Sequence, residues 1–384
     1  MTTQPQKRYD TVIIGARCAG ASLAMLLAQR GQHVLAIDRS KYGTDTVSTH
    51  ALMRAGVEQL TRWGVLNDLL AAGTPPIRNM AFHYGDTSIA LPIKSAPASP
   101  FLLAPRRTVL DRVLVDHARS SGAEVRFGCR LEQLVRDRHD RVTGVVVNEG
   151  GRRFTIECDT VVGADGIGST VAELAGAVTY KQGLHASACV LGYWPDVDVD
   201  GYQWAYDLGV SAGAIPTSGG TCVFVTIAPA RLRAAGRDVE RCFEDALSEA
   251  SPSMAARFTR GLREGGLRRF AGVKGFMRQS TGAGWALVGD AGYFKDPLTA
   301  HGITDALRDA TLLANALVTG RRSLAQYQTT RDELSHTMFE VTDQIASLAW
   351  NLEQLQQLHM QFSAAMSAEI NYLSNLEDIA AQAA

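Results

Sequence analysis

"VIIGARCAG", Val12 to Gly20, is the stretch on which the reading of this chain turns. Apolar β-formers run into a glycine turn, and "ASLAMLLAQRG" follows. This is the sequence form of a buried strand, a tight turn and a helix whose unbonded N–H groups face a phosphate. Arg17 stands where the usual Gly-x-Gly-x-x-Gly loop has its second glycine, so the stretch reads either as a variant nucleotide loop or as an ordinary strand-to-helix connection. The helix would turn Leu23, Leu26 and Leu27 inward and stop at Gly31. "HVLAID" then forms a second strand ending in Asp38, close to the ~20-residue interval at which an acid meets the ribose of a dinucleotide.

Composition narrows the partners. The 384 residues suit roughly two or three domains. Lys plus Arg (38) nearly balances Asp plus Glu (39), which argues against nucleic acid or an anionic membrane and favours a small molecule. The six cysteines are scattered without a Cys-x-x-Cys pair, so neither a metal site nor a disulfide framework is expected. "MTTQPQKRYD" lacks the apolar core of an export signal, and no later run supplies the ~20 apolar residues of a membrane span. A soluble, cytoplasmic protein is the expectation.

Farther along, the pattern is helical from Thr49 to Leu70, and Asn79 to Lys94 alternates as a hairpin around "YGD". "PRRTVLDRVLVDHARSSGAEVRFG" predicts a helix on Leu110, Leu114 and Ala118, then a parallel strand. Arg141–Val147 and Arg153–Glu157 read as another hairpin, leading into "DTVVGADGIGSTV". From Val178 to about Gly284 short strand-like runs predict a mainly antiparallel domain with one charged helix, Val239–Glu249. "GWALVGDAG" restores the strand-and-turn pattern, and Ile303, Leu307, Ala310, Leu313 and Leu317 mark a helix closed by Gly320. Beyond Leu324 the chain is almost wholly helical. Residues 1–75, 100–177 and 280–320 would form a dinucleotide domain, 76–99 and 178–279 a substrate domain, and 321–384 a helical C-terminus.

Three glycine turns need one explanation: "GARCAG" with Asp38, "GADGIGST" around Asp165, and "GDAGYFKDPLTAHG" around Asp290. In this order, with the basic "PRRTVLD" helix between the first two, the chain resembles the group A FAD-dependent monooxygenases, which share the p-hydroxybenzoate hydroxylase fold, over about Tyr9 to Val318. The resemblance implies an α/β protein: an FAD-binding Rossmann-like βαβ domain interleaved with an antiparallel-sheet substrate domain. Gly15, Ala16 and Gly20 would form the ADP loop, with Arg17 turned outward. Asp38, followed by Arg39, would hold the adenosine ribose, Leu131 would back the adenine, and Arg107 would reach the flavin side. Asp165 opens the family's Asp-Gly motif, although Val171 replaces an arginine often found after it. Asp290 would bond the ribityl chain and Pro297 would sit beside the isoalloxazine. Ala300 replaces a usual glycine, while Gly302 and Ile303 begin a helix whose positive end would stabilise the reduced ring. Helix capping is the structural alternative for Asp38 and Asp290.

The implied activity is insertion of one oxygen atom from O₂, by hydroxylation or epoxidation, into an electron-rich aromatic or polyketide-like small molecule. It would proceed through a flavin C4a-hydroperoxide, with NAD(P)H as transient donor or a separate flavin reductase supplying electrons, and without a metal. His50 and His301 are the candidate catalytic residues, with packed core histidines as the alternative. Tyr202, Tyr206, Trp194, Trp204, Phe224, Phe270 and Phe276 would line a substrate cavity or form core. Rival readings are a geranylgeranyl-reductase-like enzyme, a halogenase, opposed by the lack of a Trp-x-Trp-x-Ile-Pro segment before Ile215-Pro216, and a non-catalytic FAD-binding protein. The C-terminal helices would cap the cavity or form a subunit contact, as in a homodimer.

Overall fold

The computed structural model describes residues 8–94, 96, 99–319 and 321–376. Gly320 and residues 377–384 lie outside this set, so the helix stop expected at Gly320 is not described. The opening stretch folds as read: strand Tyr9–Ile14, helix Cys18–Ala28 and strand Val34–Asp38. Gly15 has φ +103, and a Cβ on Gly20 would stand 1.8 Å from the Gly15 carbonyl oxygen, so both positions require glycine for the helix to start this close to the strand.

The first sheet runs in the order Thr281–Gly282, Trp285–Leu287, Arg152–Gly163, Tyr9–Ile14, Val34–Asp38 and Glu124–Phe127. Its central strands are parallel, with Ile14 beside both Ile37 and Gly163, and Leu35 beside Glu124. Arg152–Gly163 also closes an antiparallel meander with Val142–Glu149 and Cys129–Arg136. Helices Cys18–Ala28, Arg107–Ser120 and Gly302–Thr319 share one core, in which Leu23, Leu27, Leu110, Leu114, Leu307 and Leu313 are fully buried. Their helical spacing therefore marks the faces that meet.

The second sheet has seven strands, ordered Glu264–Phe270, Ala188–Trp194, Gly220–Ile227, Val210–Thr217, Tyr202–Asp207, Asn79–Tyr84 and Thr87–Pro92. It is antiparallel except where Tyr202–Asp207 meets Asn79–Tyr84 in parallel. One face packs on helices Val239–Ala250 and Pro252–Phe258. The other face, carrying Tyr202, Trp204, Tyr206 and Phe224, packs on Met338, Ile345, Trp350 and Phe362 of the C-terminal segment. That segment forms helices Arg321–Ala346 and Leu352–Ser374, broken where Leu348 takes φ +53 and Asn351 and Gln354 form a capping box.

Two local readings are corrected. The stretch Thr49–Leu70 is not one helix: it begins irregularly, with His50 at φ +68 and Leu52 bridged to Leu103, and holds helices Arg54–Arg62 and Leu66–Ala71 around Gly64 at φ +74. Thr179–Gln182 and Phe276–Arg278 leave the large sheet and join Tyr293–Phe294 in a three-stranded sheet.

Candidate functional site

A cleft of about 850 Å³ opens at the carboxyl ends of the parallel strands, where Ile14, Asp38, Ala164 and Val288 reach it. Placement beyond the carboxyl ends of a parallel sheet is where such folds bind ligands. Helices Cys18–Ala28, Arg107–Ser120 and Gly302–Thr319 all present their first residues to it, and three positive helix ends converging on one space favour an anion such as a pyrophosphate.

Of the residues singled out from the sequence, Gly15, Asp38, Arg39, Arg107, Leu131, Asp165, Asp290, Pro297, Gly302, Ile303 and His50 line this cleft. Ala16 and Gly20 do not: Ala16 acts through its N–H, which donates to Asp38 Oδ2 at 3.0 Å, and Gly20 through the close helix contact described above. Arg17 is half-buried and is itself among the residues that line the cleft.

The three aspartates differ in what they bond. Asp38 braces its own loop, accepting from Ala16 N–H and from Ser40 N–H at 2.8 Å while still lining the cleft. Asp165 accepts from Ser169 Oγ at 2.5 Å and Thr170 N–H at 2.7 Å, holding the start of helix Thr170–Ala175. Burial raises its carboxyl above the ordinary value, against these bonds. Asp290, in the short turn Gly289–Ala291, makes no hydrogen bond among the described residues. Burial, and then Asp305, push its carboxyl up to about 7, although Lys295 and Arg107 pull it down. A carboxyl held this way lacks donors, and hydroxyl groups of a bound polyol would supply them.

Arg107 is fixed at the cleft by Asp111, whose Oδ1 accepts from its Nε and Nη2 at 3.1 and 2.9 Å and from the Cys18 thiol at 3.2 Å. Burial opposes the guanidinium charge, but Asp111, Cys18 and Asp290 together more than offset it. At the other end, Asp296 accepts from Ser187 N–H and Oγ, each at 2.6 Å, tying the Pro297 turn to the strand that begins at Ala188. Ala300, which ends that turn, sits at φ +52, a conformation that explains why glycine is usual there.

The two candidate histidines part company. His50 lines the cleft and is buried, with Nε2 2.6 Å from the Tyr193 hydroxyl. His301 does not line it: its Nε2 lies 2.8 Å from Glu369 Oε2, inside a buried ionic network with Asp305, Arg308 and Asp309. The structure therefore does not bring His301, an expected catalytic residue, to the cleft: Nε2 meets a carboxylate of the C-terminal helix, and Nδ1 is buried without a hydrogen-bond partner among the described residues. His301, Asp305 and Glu369 bring three ligand atoms within 4.8 Å, but Lys295 already pairs with Asp305 and Arg308 with Glu369, so the chain's own cations take the charge a metal would need.

Among the aromatic candidates only Phe270 lines the cleft. Tyr202, Tyr206, Trp204 and Phe224 belong to the core under the C-terminal helices, and Trp194 stacks on Phe243 on the opposite face. The lining also includes Cys189, Leu191, Phe294, Lys295 and Asp305, which sequence reasoning missed. Lys295 and Phe294 lie inside "GDAGYFKDPLTAHG", so an apolar-basic pair between the acid and the proline was the available signal. Among the described residues all six cysteines are buried and free, and no helix is long and apolar enough to cross a membrane.

Three helix starts for a pyrophosphate, a glycine-lined approach, and Asp38 and Asp290 for sugar and polyol hydroxyls fit FAD. The comparisons with known proteins agree. Residues 8–342 match the family described as FAD binding domain. The chain is 26% identical over 337 residues to a menaquinone reductase of Mycolicibacterium smegmatis, covering 82% of this chain and 77% of that protein. It is 26% identical over 332 residues to a digeranylgeranylglycerophospholipid reductase of Methanosarcina mazei, covering 80% and 74%. It is 27% identical over 383 residues to ubiquinone hydroxylase UbiL of Rhodospirillum rubrum, covering 91% and 84%. In fold it is similar to the flavin-dependent brominase Bmp2, with a TM-score of 0.80 at 18% identity, over 96% of this chain and 93% of that one. Sequence match, sheet topology and cleft chemistry lead to one conclusion: the chain belongs to the FAD binding domain family of flavin-dependent oxidoreductases.

Proposed function

We propose that the protein is an FAD-dependent monooxygenase that uses NAD(P)H and O₂ to hydroxylate an electron-rich ring, such as a phenol or quinol, of a small molecule. One observation carries this reading: the cleft joins the dinucleotide loops to an apolar wall of Cys189, Leu191, Phe270 and Phe294, with the buried imidazole of His50 beside it. Cys189, Leu191 and Tyr193 alternate along one strand and share a face, and Tyr193 brings His50 to that face. Such a wall suits a flat ring, excludes water around it, and leaves His50 to orient an oxygen substituent. Bound FAD would supply the redox chemistry, accepting two electrons from NAD(P)H and passing them to oxygen. The chain's own part is to grip the pyrophosphate with three helix starts, bond the polyol through Asp290, and hold the ring against the wall. The ubiquinone hydroxylase relative supports a ring substrate of this class. The seven-stranded sheet and its helices form the substrate-binding unit in this reading.

A second reading, reduction of an isoprenoid double bond, is favoured by the two reductase relatives. Turnover under ¹⁸O₂ with phenols and quinols, with and without an isoprenoid tail, separates the two. A product that gains one labelled oxygen supports hydroxylation. An unlabelled product that gains two hydrogens overturns it in favour of the reductase.

A further inference from the structure

His50 Nδ1 is buried and has no hydrogen-bond partner within the protein among the described residues, while the open space beside this residue is the cleft. The other ring nitrogen, Nε2, meets the Tyr193 hydroxyl at 2.6 Å, and that hydroxyl has no other partner among the described residues. We infer that His50 presents Nδ1–H as a hydrogen-bond donor to an oxygen carrying negative charge in the cleft, and that Tyr193 is the positioning residue that locks this tautomer.

A neutral imidazole carries one N–H, so the proton on the Tyr193–His50 bond decides which nitrogen faces the ligand. Burial raises the Tyr193 phenol above its ordinary value, so the phenol keeps its proton and needs an acceptor. Nε2 is the acceptor in reach. The Arg106 guanidinium lies 4.0 Å from the Tyr193 ring centre and that of Arg268 lies 5.6 Å away. Both cations favour negative charge on the phenol oxygen, which strengthens it as a donor toward Nε2. Nδ1 then bears the hydrogen.

The same surroundings select the ligand atom. Burial, then Arg107, Arg106 and Arg268, lower the His50 imidazole to about 3, so it does not charge near neutrality. Its Nδ1, already protonated, serves as a donor and not as a base. The facing charges are Arg107 paired with Asp111, Arg106 with Glu264, and Arg268 with Asp45. Each cation is thus balanced by a carboxylate, and the selection falls to the N–H itself: a buried donor with no partner in the protein calls for an oxygen acceptor, and an oxyanion or a strongly polarised carbonyl meets it best. That oxygen comes either from an ionised substrate hydroxyl, which rests on the hydroxylation reading, or from a carbonyl of the cofactor.

The test uses the full-length, FAD-loaded protein labelled with ¹⁵N-histidine, with His50→Asn assigning the His50 signals. Long-range ¹H–¹⁵N spectra are expected to show Nδ1 protonated and Nε2 bare from pH 8 to pH 5, and Tyr193→Phe is expected to shift His50 toward a mixture of tautomers. A wild-type Nε2–H tautomer, an imidazolium within that range, or a Tyr193→Phe spectrum unchanged from wild type overturns the inference. The source of the oxygen is read with 4-nitrophenol, whose absorbance reports its ionisation. In His50→Ala, binding of 4-nitrophenolate should weaken at least about tenfold with FAD affinity within about twofold of wild type, and His50→Asn, which tolerates the left-handed backbone and keeps an N–H donor, should recover part of the loss. A tenfold loss of FAD affinity instead assigns the donor to a cofactor carbonyl. No change in either affinity overturns the inference. An unlabelled product from ¹⁸O₂ would sink the hydroxylation reading without touching the tautomer spectrum, so the two failures are separable.

Discussion

His301 Nε2 lies 2.8 Å from Glu369 Oε2, and neither side chain reaches solvent. Glu369 also accepts from Arg308 Nη1 through Oε1, at 2.8 Å. Helix Leu352–Ser374 is thereby keyed into helix Gly302–Thr319, whose first residues line the cleft. The C-terminal segment does more than cover the seven-stranded sheet, because a buried ionic lock joins it to the helix that opens on the cleft.

Breaking that lock leaves Arg308 buried beside one acid fewer. Glu369→Ala should destabilise the fold by about 3–5 kcal/mol, read by chemical denaturation. An effect below about 1 kcal/mol would show that the network is dispensable. Truncation after Val318 removes Glu369 and should abolish FAD binding or solubility.

The lock also carries a pH signature. Burial alone would raise the Glu369 carboxyl, but His301, Arg308 and Lys295 overcome it and hold it well below its ordinary 4.5. A depressed folded-state value means that the stabilisation is present above the unfolded value and lost as pH falls below it. Wild-type protein should lose stability more steeply below pH 4.5 than Glu369→Gln, compared by urea midpoints across pH. Parallel pH profiles would contradict this.

Asp290 has the opposite sign. Its folded value, about 7, lies above the ordinary 3.8, so its contribution favours the cofactor-free fold at low pH and is lost as pH rises through that interval. Asp290→Asn should raise the melting temperature of cofactor-free protein at pH 8 and leave it nearly unchanged at pH 4. Asp290→Ala should weaken FAD by ~1–3 kcal/mol through loss of a polyol acceptor. Unaltered FAD affinity would reassign Asp290 to the turn alone.

Ala300 holds φ +52 without being glycine. Ala300→Gly should stabilise the protein by about 1 kcal/mol, since the left-handed conformation costs a Cβ-bearing residue roughly 1–2 kcal/mol. Equal denaturation midpoints would indicate that the surrounding turn has already absorbed the strain.

Arg17 reaches the N-cap with φ −96, which any residue adopts, so glycine is not required there. Arg17→Gly should keep FAD affinity within about fivefold, the scale of a half-exposed ionic contact. A hundredfold loss would make Arg17 an obligatory phosphate ligand.

What the sequence by itself determined is the set of patterns that repeat locally. The period of Leu23, Leu27, Leu110, Leu114, Leu307 and Leu313 marked the buried faces of three helices, and the strand-to-glycine turns at Gly15, Asp165 and Asp290 marked three places where the chain leaves the sheet at the cleft. Such signals survive without a fold because φ/ψ preference and one-sided burial act within a few residues. The tertiary structure decided everything that depends on a distant partner. His50 and His301 look alike in sequence, yet a strand 143 residues away gives one a tyrosine beside the cleft, and a helix 68 residues away gives the other a carboxylate outside it. Phe270 became lining while Trp204 and Phe224 became core, because the C-terminal helices cover only part of the sheet face. Side-chain chemistry sets what each residue is able to do, and packing between segments remote in sequence chooses which of those roles the folded chain allows.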